Sequence, residues 1–165
     1  AFAYIDECKS KKFSIVAVII ESRFRLGLEA RCRNLVLKGQ RRIHFKHESD
    51  SRRKHFFTAL KDQPFKVLIV SSCNPKLNRA RAECLELLAL SPHFSNVTNV
   101  ILERDATVVK LDAEILAKFG LQFQHLEPHE NACLWISDAY AWINQRGGHW
   151  RLHLRDSRVT FLEVD

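Results

Sequence analysis

Ala3-Tyr4-Ile5-Asp6-Glu7-Cys8 is the stretch that decides the fold of this chain. It is an apolar, β-prone run that ends in two adjacent acids, and a second apolar run, Phe13 to Ile20, follows a short polar turn. Two such runs around a polar turn predict a β-hairpin. Because side chains alternate along a strand, Asp6 and Glu7 point to opposite faces. At least one acid therefore shares an apolar face, which is costly unless something compensates its charge.

The acid pair has two interpretations. Acids at the end of a strand commonly start the turn that follows, and both Asp6 and Glu7 could do only that. The alternative is that Asp6 is the first carboxylate of a metal site. The acids elsewhere in the chain decide between the two.

Length and charge bound the class of protein. The chain has 165 residues, which fits one domain over residues 1–165 with room for a sizeable core. Its 46% hydrophobic and 27% charged residues are ordinary for a globular protein, and its longest apolar run, Ile15 to Ile20, is too short to cross a membrane. The net charge of +7 favours a polyanionic partner, with nucleic acid as the leading candidate.

The cysteines indicate the compartment. There are five, an odd number, and none forms a C-x-x-C pair. This pattern predicts reduced thiols and a cytoplasmic location rather than a disulfide framework.

Hydrophobic periodicity predicts an alternation of strands and helices after the hairpin. Helices are predicted over residues 24–37, 49–61, 74–90, 107–119 and 131–146, and further strands over 42–46, 65–72, 97–103, 121–125 and 159–164. This order predicts the α/β class, as a mixed sheet that begins with a β-hairpin and has helices packed on its faces.

Two later acids stand out by their surroundings. Glu103 ends a predicted strand, and Asp138 lies in a helix that is apolar on nearly every side, on one face with Trp135 and Trp142. A buried carboxylate normally finds a cation, a donor or a proton. A buried arginine or a backbone donor would serve Asp138, but together with Asp6 we favour a metal.

The remaining acids have weaker patterns. Asp105 precedes a predicted helix as a natural N-cap, with metal ligation as a second role, and Glu7 is a further candidate ligand beside Asp6. Asp112 and Glu114 fall on the polar side of their helix, which predicts solvated side chains. Carboxylates are the hard oxygen ligands that Mg²⁺ or Mn²⁺ prefers.

Three segments resemble a known family. Tyr4-Ile5-Asp6-Glu7 resembles the Tyr-Ile-Asp-Glu-Ser-Gly opening of an uncharacterised, mostly bacterial family of RNase H-like proteins, and residues 42–46 and 135–142 resemble that family's later motifs in the same order. Cys8-Lys9 replaces Ser-Gly, and Arg42 stands where the family often has an acid. The resemblance implies an RNase H-like fold and metal-dependent nuclease activity. It matches three residues here to the family's acidic positions: Asp6, Glu103 and Asp138.

Cationic side chains concentrate between Arg41 and His55. Each one alone is most simply a solvated surface residue, but the cluster favours contact with nucleic-acid phosphates. The predicted nucleic-acid-binding residues are Arg41, Arg42, His44, Lys46, Arg52, Arg53 and Lys54.

The leading hypothesis is a nuclease that uses Mg²⁺ or Mn²⁺ held by three catalytic acids to hydrolyse phosphodiester bonds. The alternative is a catalytically inactive RNase H-like module that binds nucleic acid or a protein partner. A third hypothesis is a strand-transfer enzyme of the same fold, because Glu103 and Asp138 are 35 positions apart. The choice between DNA and RNA and the existence of a homo-oligomer stay open.

Overall fold

The computed structural model describes residues 1–165 and contains one sheet of six strands. The strands are β1 Phe2–Lys9, β2 Phe13–Ile20, β3 Lys66–Ser72, β4 Asn99–Glu103, β5 Gln122–Leu126 and β6 Val159–Glu163. Their order across the sheet is β5-β4-β1-β2-β3-β6. Strand β1 therefore lies inside the sheet, with β2 antiparallel on one side and β4 parallel on the other.

The hairpin of β1 and β2 has the predicted alternation. Asp6 pairs with Val16 and Glu7 with Ile15, and every residue of β2 is buried because strands and helices cover it on all sides. Strand β3 continues the antiparallel order, whereas β5 and β6 join as parallel edge strands.

Five α-helices cover the two faces of the sheet. They are α1 Arg25–Arg33, α2 Asp50–Leu60, α3 Leu77–Leu90, α4 Val109–Lys118 and α5 Leu134–Arg146. Helices α1, α2 and α5 pack on the face that contains Tyr4, and α3 and α4 pack on the face that contains Ile5. The predicted mixed sheet with a leading hairpin and helices on both faces is thus confirmed.

Two sequence predictions need correction. The helix expected over residues 24–37 ends at Arg33, and residues 42–46 are not an edge strand. Phe45–His47 is instead a single turn of 3-10 helix. The backbone of Phe45 has side-chain partners in place of a strand, because its N–H donates to Asp138 and its carbonyl accepts from Arg53.

Two further observations concern the hydrophobicity of the helices and the state of the cysteines. None of the helices combines the length and apolar character that a membrane-spanning helix requires. All five cysteine thiols are free, and only Cys73 is exposed.

Candidate functional site

Asp6 lies near the end of β1 on the face that α5 covers. Tyr4 and Cys8, two positions away on either side, belong to the hydrophobic core on that face. The backbone N–H of Glu7 donates to Asp6 Oδ1 at 2.7 Å. Alternation along the strand thus directs this carboxyl between the sheet and α5.

Glu103 ends the neighbouring parallel strand. The β1–β4 register pairs Ile5 with Leu102, so the next position on each strand is an acid, Asp6 and Glu103. The register therefore sets the two carboxyl groups side by side, and the charge of Glu103 raises the pKa of Asp6.

Asp138 reaches the same place from α5. Its Oδ2 accepts a hydrogen bond from the backbone N–H of Phe45 at 2.9 Å. The charge of Asp138 raises the pKa of both Asp6 and Glu103, which places the three predicted acids in one electrostatic cluster. They come from three separate elements of the chain, β1, β4 and α5.

All three acids have raised pKa values. Burial is the largest cause in each case, and for Asp6 the charges of Glu103 and Asp138 raise the pKa further, well above its ordinary value. Arg42 opposes part of the effect, because its charge lowers the pKa of Glu103 and Asp138. Raised pKa values of this origin concentrate at functional sites.

The donor chemistry of the cluster suits a hard divalent cation. No three His, Cys, Asp or Glu side chains are arranged in this structure to hold a metal ion. The three clustered carboxyls nevertheless supply only oxygen donors, the type that Mg²⁺ and Mn²⁺ prefer, and a cation would offset the charge that burial penalises. The residues fit such an ion by chemistry.

A cleft of about 420 Å³ opens beside the cluster. Asp6 and Glu103 line it, whereas Asp138 is not among its lining residues. The other lining residues are Ile5, Glu7, Arg81, Arg104, Asp105 and Ala106. The opening gives a ligand access to two of the three acids.

Glu7 lines the cleft but is already paired. Its Oε2 accepts from Arg81 Nη1 at 2.8 Å, and its Oε1 lies 3.1 Å from Lys9 Nζ. Both cations compete with any metal for this carboxylate.

Asp105 stabilises the turn before α4. Its Oδ1 accepts from the backbone N–H of Thr107 at 3.0 Å and from the Thr107 hydroxyl at 2.7 Å, and these bonds lower its pKa. The predicted N-cap role is wrong, because α4 begins at Val109 and Val108 is the N-cap residue. Asp105 therefore lies in the cleft as an ionised acid.

A buried ion network lies behind the cleft, and the sequence prediction missed it. Arg81 Nε and Nη2 donate to the two oxygens of Asp112 at 2.7 and 2.8 Å, and His125 Nε2 lies 3.0 Å from Asp112 Oδ2. Asp112 is fully buried, so the prediction of a solvated side chain is wrong. Arg81 shares a helical face with Cys84, Leu85 and other core residues, and an arginine on that face was the available signal for a buried acid.

The predicted nucleic-acid-binding residues divide into three groups. Arg42 and His44 are partly buried beside the acidic cluster. Arg52 and Arg53 bond to backbone carbonyls of Leu35, Phe45 and Lys46. The exposed ones are Arg41, Lys46 and Lys54.

Comparison with known proteins bears on the fold. No family model matches the chain, and no curated protein sequence matches it. A solved structure, the PCNA:RNase HII complex from Archaeoglobus fulgidus, contains a similar chain, with a TM-score of 0.61 over 88% of this chain and 72% of its own length. The fold is RNase H-like. That part of the prediction is confirmed, and at 17% identity the similarity concerns the fold alone.

Proposed function

We propose that this RNase H-like chain is a divalent-metal-dependent nuclease that hydrolyses phosphodiester bonds of nucleic acid, with residues 1–165 acting as one domain. The observation that carries the proposal is the cluster of Asp6, Glu103 and Asp138, whose pKa values are all raised. Burying three acids together costs stability, and proteins accept such costs at functional sites. The net charge of +7 supports nucleic acid as the substrate.

In this proposal Asp6, Glu103 and Asp138 would hold Mg²⁺ or Mn²⁺, with Asp105 and Glu7 as further candidate ligands. When bound, such an ion supplies Lewis-acid activation of a phosphodiester and of a water. Because metal ligands must be deprotonated, the raised pKa values of Asp6 and Glu103 would oppose metal binding at low pH. The lowered pKa of Asp105 would keep that carboxylate ionised in the cleft.

Cleavage assays test the proposal. Labelled DNA and RNA, single- and double-stranded, would be incubated with the protein in Mn²⁺, Mg²⁺ or EDTA. We expect metal-dependent cleavage that falls at least about a hundredfold in Asp6→Asn and in Asp138→Asn. Asp62→Asn is the matched control, because Asp62 is exposed beyond the end of α2. Cleavage that persists in both cluster variants refutes the proposal.

The second candidate function is a non-catalytic module that binds nucleic acid or a protein partner. Two observations favour it: no three donors are arranged for a metal, and the positive charge of Arg42 already acts on Glu103 and Asp138. This function predicts salt-sensitive binding without a metal requirement and without turnover, so the same assays separate the two candidates.

Two finer assignments are also proposals. The opening Tyr4-Ile5-Asp6-Glu7 supports membership of the uncharacterised, mostly bacterial RNase H-like family. The five free thiols support a cytoplasmic location.

A further inference from the structure

The segment Arg42–His47 lies beside the acidic cluster, and its backbone is hydrogen-bonded to Asp138 on one side and to Arg53 of α2 on the other. The backbone N–H of Phe45 donates to Asp138 Oδ2 at 2.9 Å. On the other side, Arg53 Nε donates to the Phe45 carbonyl at 2.9 Å and Arg53 Nη2 donates to the Lys46 carbonyl at 3.1 Å. The backbone of this segment is therefore held in place beside the acids.

Packing around Arg53 and Phe45 holds the segment Arg42–His47 rigidly. The guanidinium of Arg53 lies 4.0 Å from the centre of the Trp142 ring and pairs with Asp50 at 2.7 Å. The Phe45 ring is fully buried, with edge-on contacts to Phe56 and Trp142 at centroid distances of 5.6 Å. The side chains of this segment therefore project from a backbone that is already held in position.

Three side chains of this segment bring N–H donors next to the acids. The charge of Arg42 lowers the pKa of Glu103 and of Asp138. His44 and His47 lie against each other with ring centres 4.6 Å apart. Burial and the charge of Arg42 lower the pKa of His44, and the charge of Glu103 opposes that shift.

The Nε atoms of Arg42 and Arg52 are both buried without a hydrogen-bond partner. Arg52 nevertheless donates through Nη2 to the Leu35 carbonyl and lies 3.6 Å from Glu48, whereas Arg42 forms no hydrogen bond or ion pair. Arg53, in contrast, donates hydrogen bonds to the carbonyls of Phe45 and Lys46 and to Asp50. A guanidinium that has no acceptor within the protein and lies beside a candidate site has donors available for a ligand there.

We propose that Arg42, His44 and His47 form a phosphate-binding subsite that holds the oxygens of a nucleic-acid phosphodiester against the acidic cluster. A guanidinium and two imidazoles provide the N–H donors that phosphate oxygens accept, and a guanidinium matches phosphate geometry. The subsite rests on the proposed function, because it identifies which residues hold the scissile phosphate there.

Binding measured in EDTA tests the subsite without relying on cleavage. The probes are a short single-stranded oligothymidine, followed by fluorescence anisotropy, and inorganic phosphate, followed through the His44 and His47 imidazole resonances. We expect Arg42→Gln to weaken oligonucleotide binding about tenfold or more, as loss of a charged hydrogen bond does. Arg79→Gln, the same change at an exposed position across the sheet, is the control and should alter the affinity less than about twofold.

A second variant keeps the test decisive if Arg42→Gln does not fold. His47 is exposed, so His47→Asn should fold and weaken oligonucleotide binding several-fold. Arg42→Lys should recover only part of the lost affinity, because lysine keeps the charge without the planar fork.

Several results would overturn the subsite. One is an Arg42→Gln or His47→Asn protein that folds and binds the oligonucleotide as tightly as Arg79→Gln does. Another is tighter Mn²⁺ binding by Arg42→Gln with unchanged oligonucleotide affinity, which would make Arg42 an internal counter-ion. Binding of inorganic phosphate without the oligonucleotide would refute the nucleic-acid assignment. Arg42-dependent oligonucleotide binding without any cleavage would instead refute the proposed nuclease and leave the subsite standing.

Discussion

Asp6 and Glu7 are adjacent in the chain, yet the alternation of β1 gives them opposite surroundings. Asp6 faces two other acids, so its pKa rises. Glu7 points to the opposite face, where Arg81 donates to it. The sequence predicted the opposite directions from alternation alone, but not that a buried arginine compensates Glu7. That difference makes Asp6, and not its neighbour, the acid that lacks a cation.

Asp6→Asn should stabilise the metal-free protein. The raised pKa means that the folded state binds this proton more tightly than the unfolded state does, so Asp6 favours folding at acidic pH and opposes it increasingly as the pH rises through the folded-state pKa. Asparagine keeps an oxygen for the Glu7 N–H and removes the charge. We expect a gain of about 1 kcal/mol in the free energy of unfolding near neutral pH, measured by urea denaturation in EDTA.

The gain should shrink toward acidic pH, where Asp6 is already protonated. Asp62→Asn, at an exposed position, should change the stability by less than about 0.5 kcal/mol at either pH. A loss of stability in Asp6→Asn near neutral pH would contradict the raised pKa.

Mn²⁺ binding should release protons and tighten as the pH rises. Metal ligands must be deprotonated, and the pKa values of Asp6, Glu103 and Asp138 are all raised. Below those pKa values we expect the affinity to rise about tenfold per pH unit for each displaced proton. Calorimetric titration in two buffers of different ionisation enthalpy measures the proton release. Equal apparent enthalpies in both buffers would show that no proton leaves.

At the scale of helices and strands, the sequence pattern predicted those elements whose structure depends mainly on residues near them in the chain. The hairpin follows from two β-prone runs around a turn, and Asp138 stood out as an acid in an otherwise apolar helix. Residues 42–46 resisted prediction because their backbone partners are the distant side chains of Asp138 and Arg53. Whether these acids form a catalytic metal site stays a prediction.

Asp112 shows that a position on the polar side of a helix does not by itself predict exposure to solvent. Helix α4 packs beside α3, so a polar side chain of α4 is covered by the neighbouring helix and meets Arg81 there. This burial depends on the paths of α3 and of β5, which carries His125, and the sequence of α4 contains neither. The interaction between the two helices is thus a property of the assembled layer.

Asp112→Asn should therefore destabilise the fold strongly. Removing one partner of a buried ion pair leaves Arg81, whose side chain is 6% exposed, without its bidentate acceptor. We expect a loss of about 3 to 5 kcal/mol in the free energy of unfolding, measured by urea denaturation. Glu114→Gln, at an exposed position on the same helix, should cost less than about 0.5 kcal/mol. Equal effects of the two changes would contradict a structural role for the pair.

For the whole molecule, the distribution of charge matters more than its sum. Arg41, Lys46 and Lys54 are exposed around the segment Arg42–His47, whereas Arg79, Lys110 and Lys118 are exposed on or next to α3 and α4, across the sheet. Phosphate contacts release counterions, so each cation that contacts nucleic acid adds to the salt dependence of binding.

Replacing Arg41, Lys46 and Lys54 with glutamine should reduce the steepness of the salt dependence. We expect the slope of log affinity against log salt concentration to lose up to about 2, at about 0.7 for each single-strand phosphate contact. Fluorescence anisotropy at rising KCl concentration in EDTA measures the slope. The triple glutamine variant of Arg79, Lys110 and Lys118 is the matched control and should leave the slope unchanged. Equal slopes for the two triple variants would show that nucleic acid does not contact the surface formed by Arg41, Lys46 and Lys54.

The distance along the chain between the three acids has a consequence during synthesis. Asp6 leaves the ribosome early and Glu103 much later, and Asp138 completes the cluster only when α5 docks on the sheet. Such long-range contacts form late in folding. A nascent chain therefore has at most two of the three acids in place until α5 has been made and has docked on the sheet.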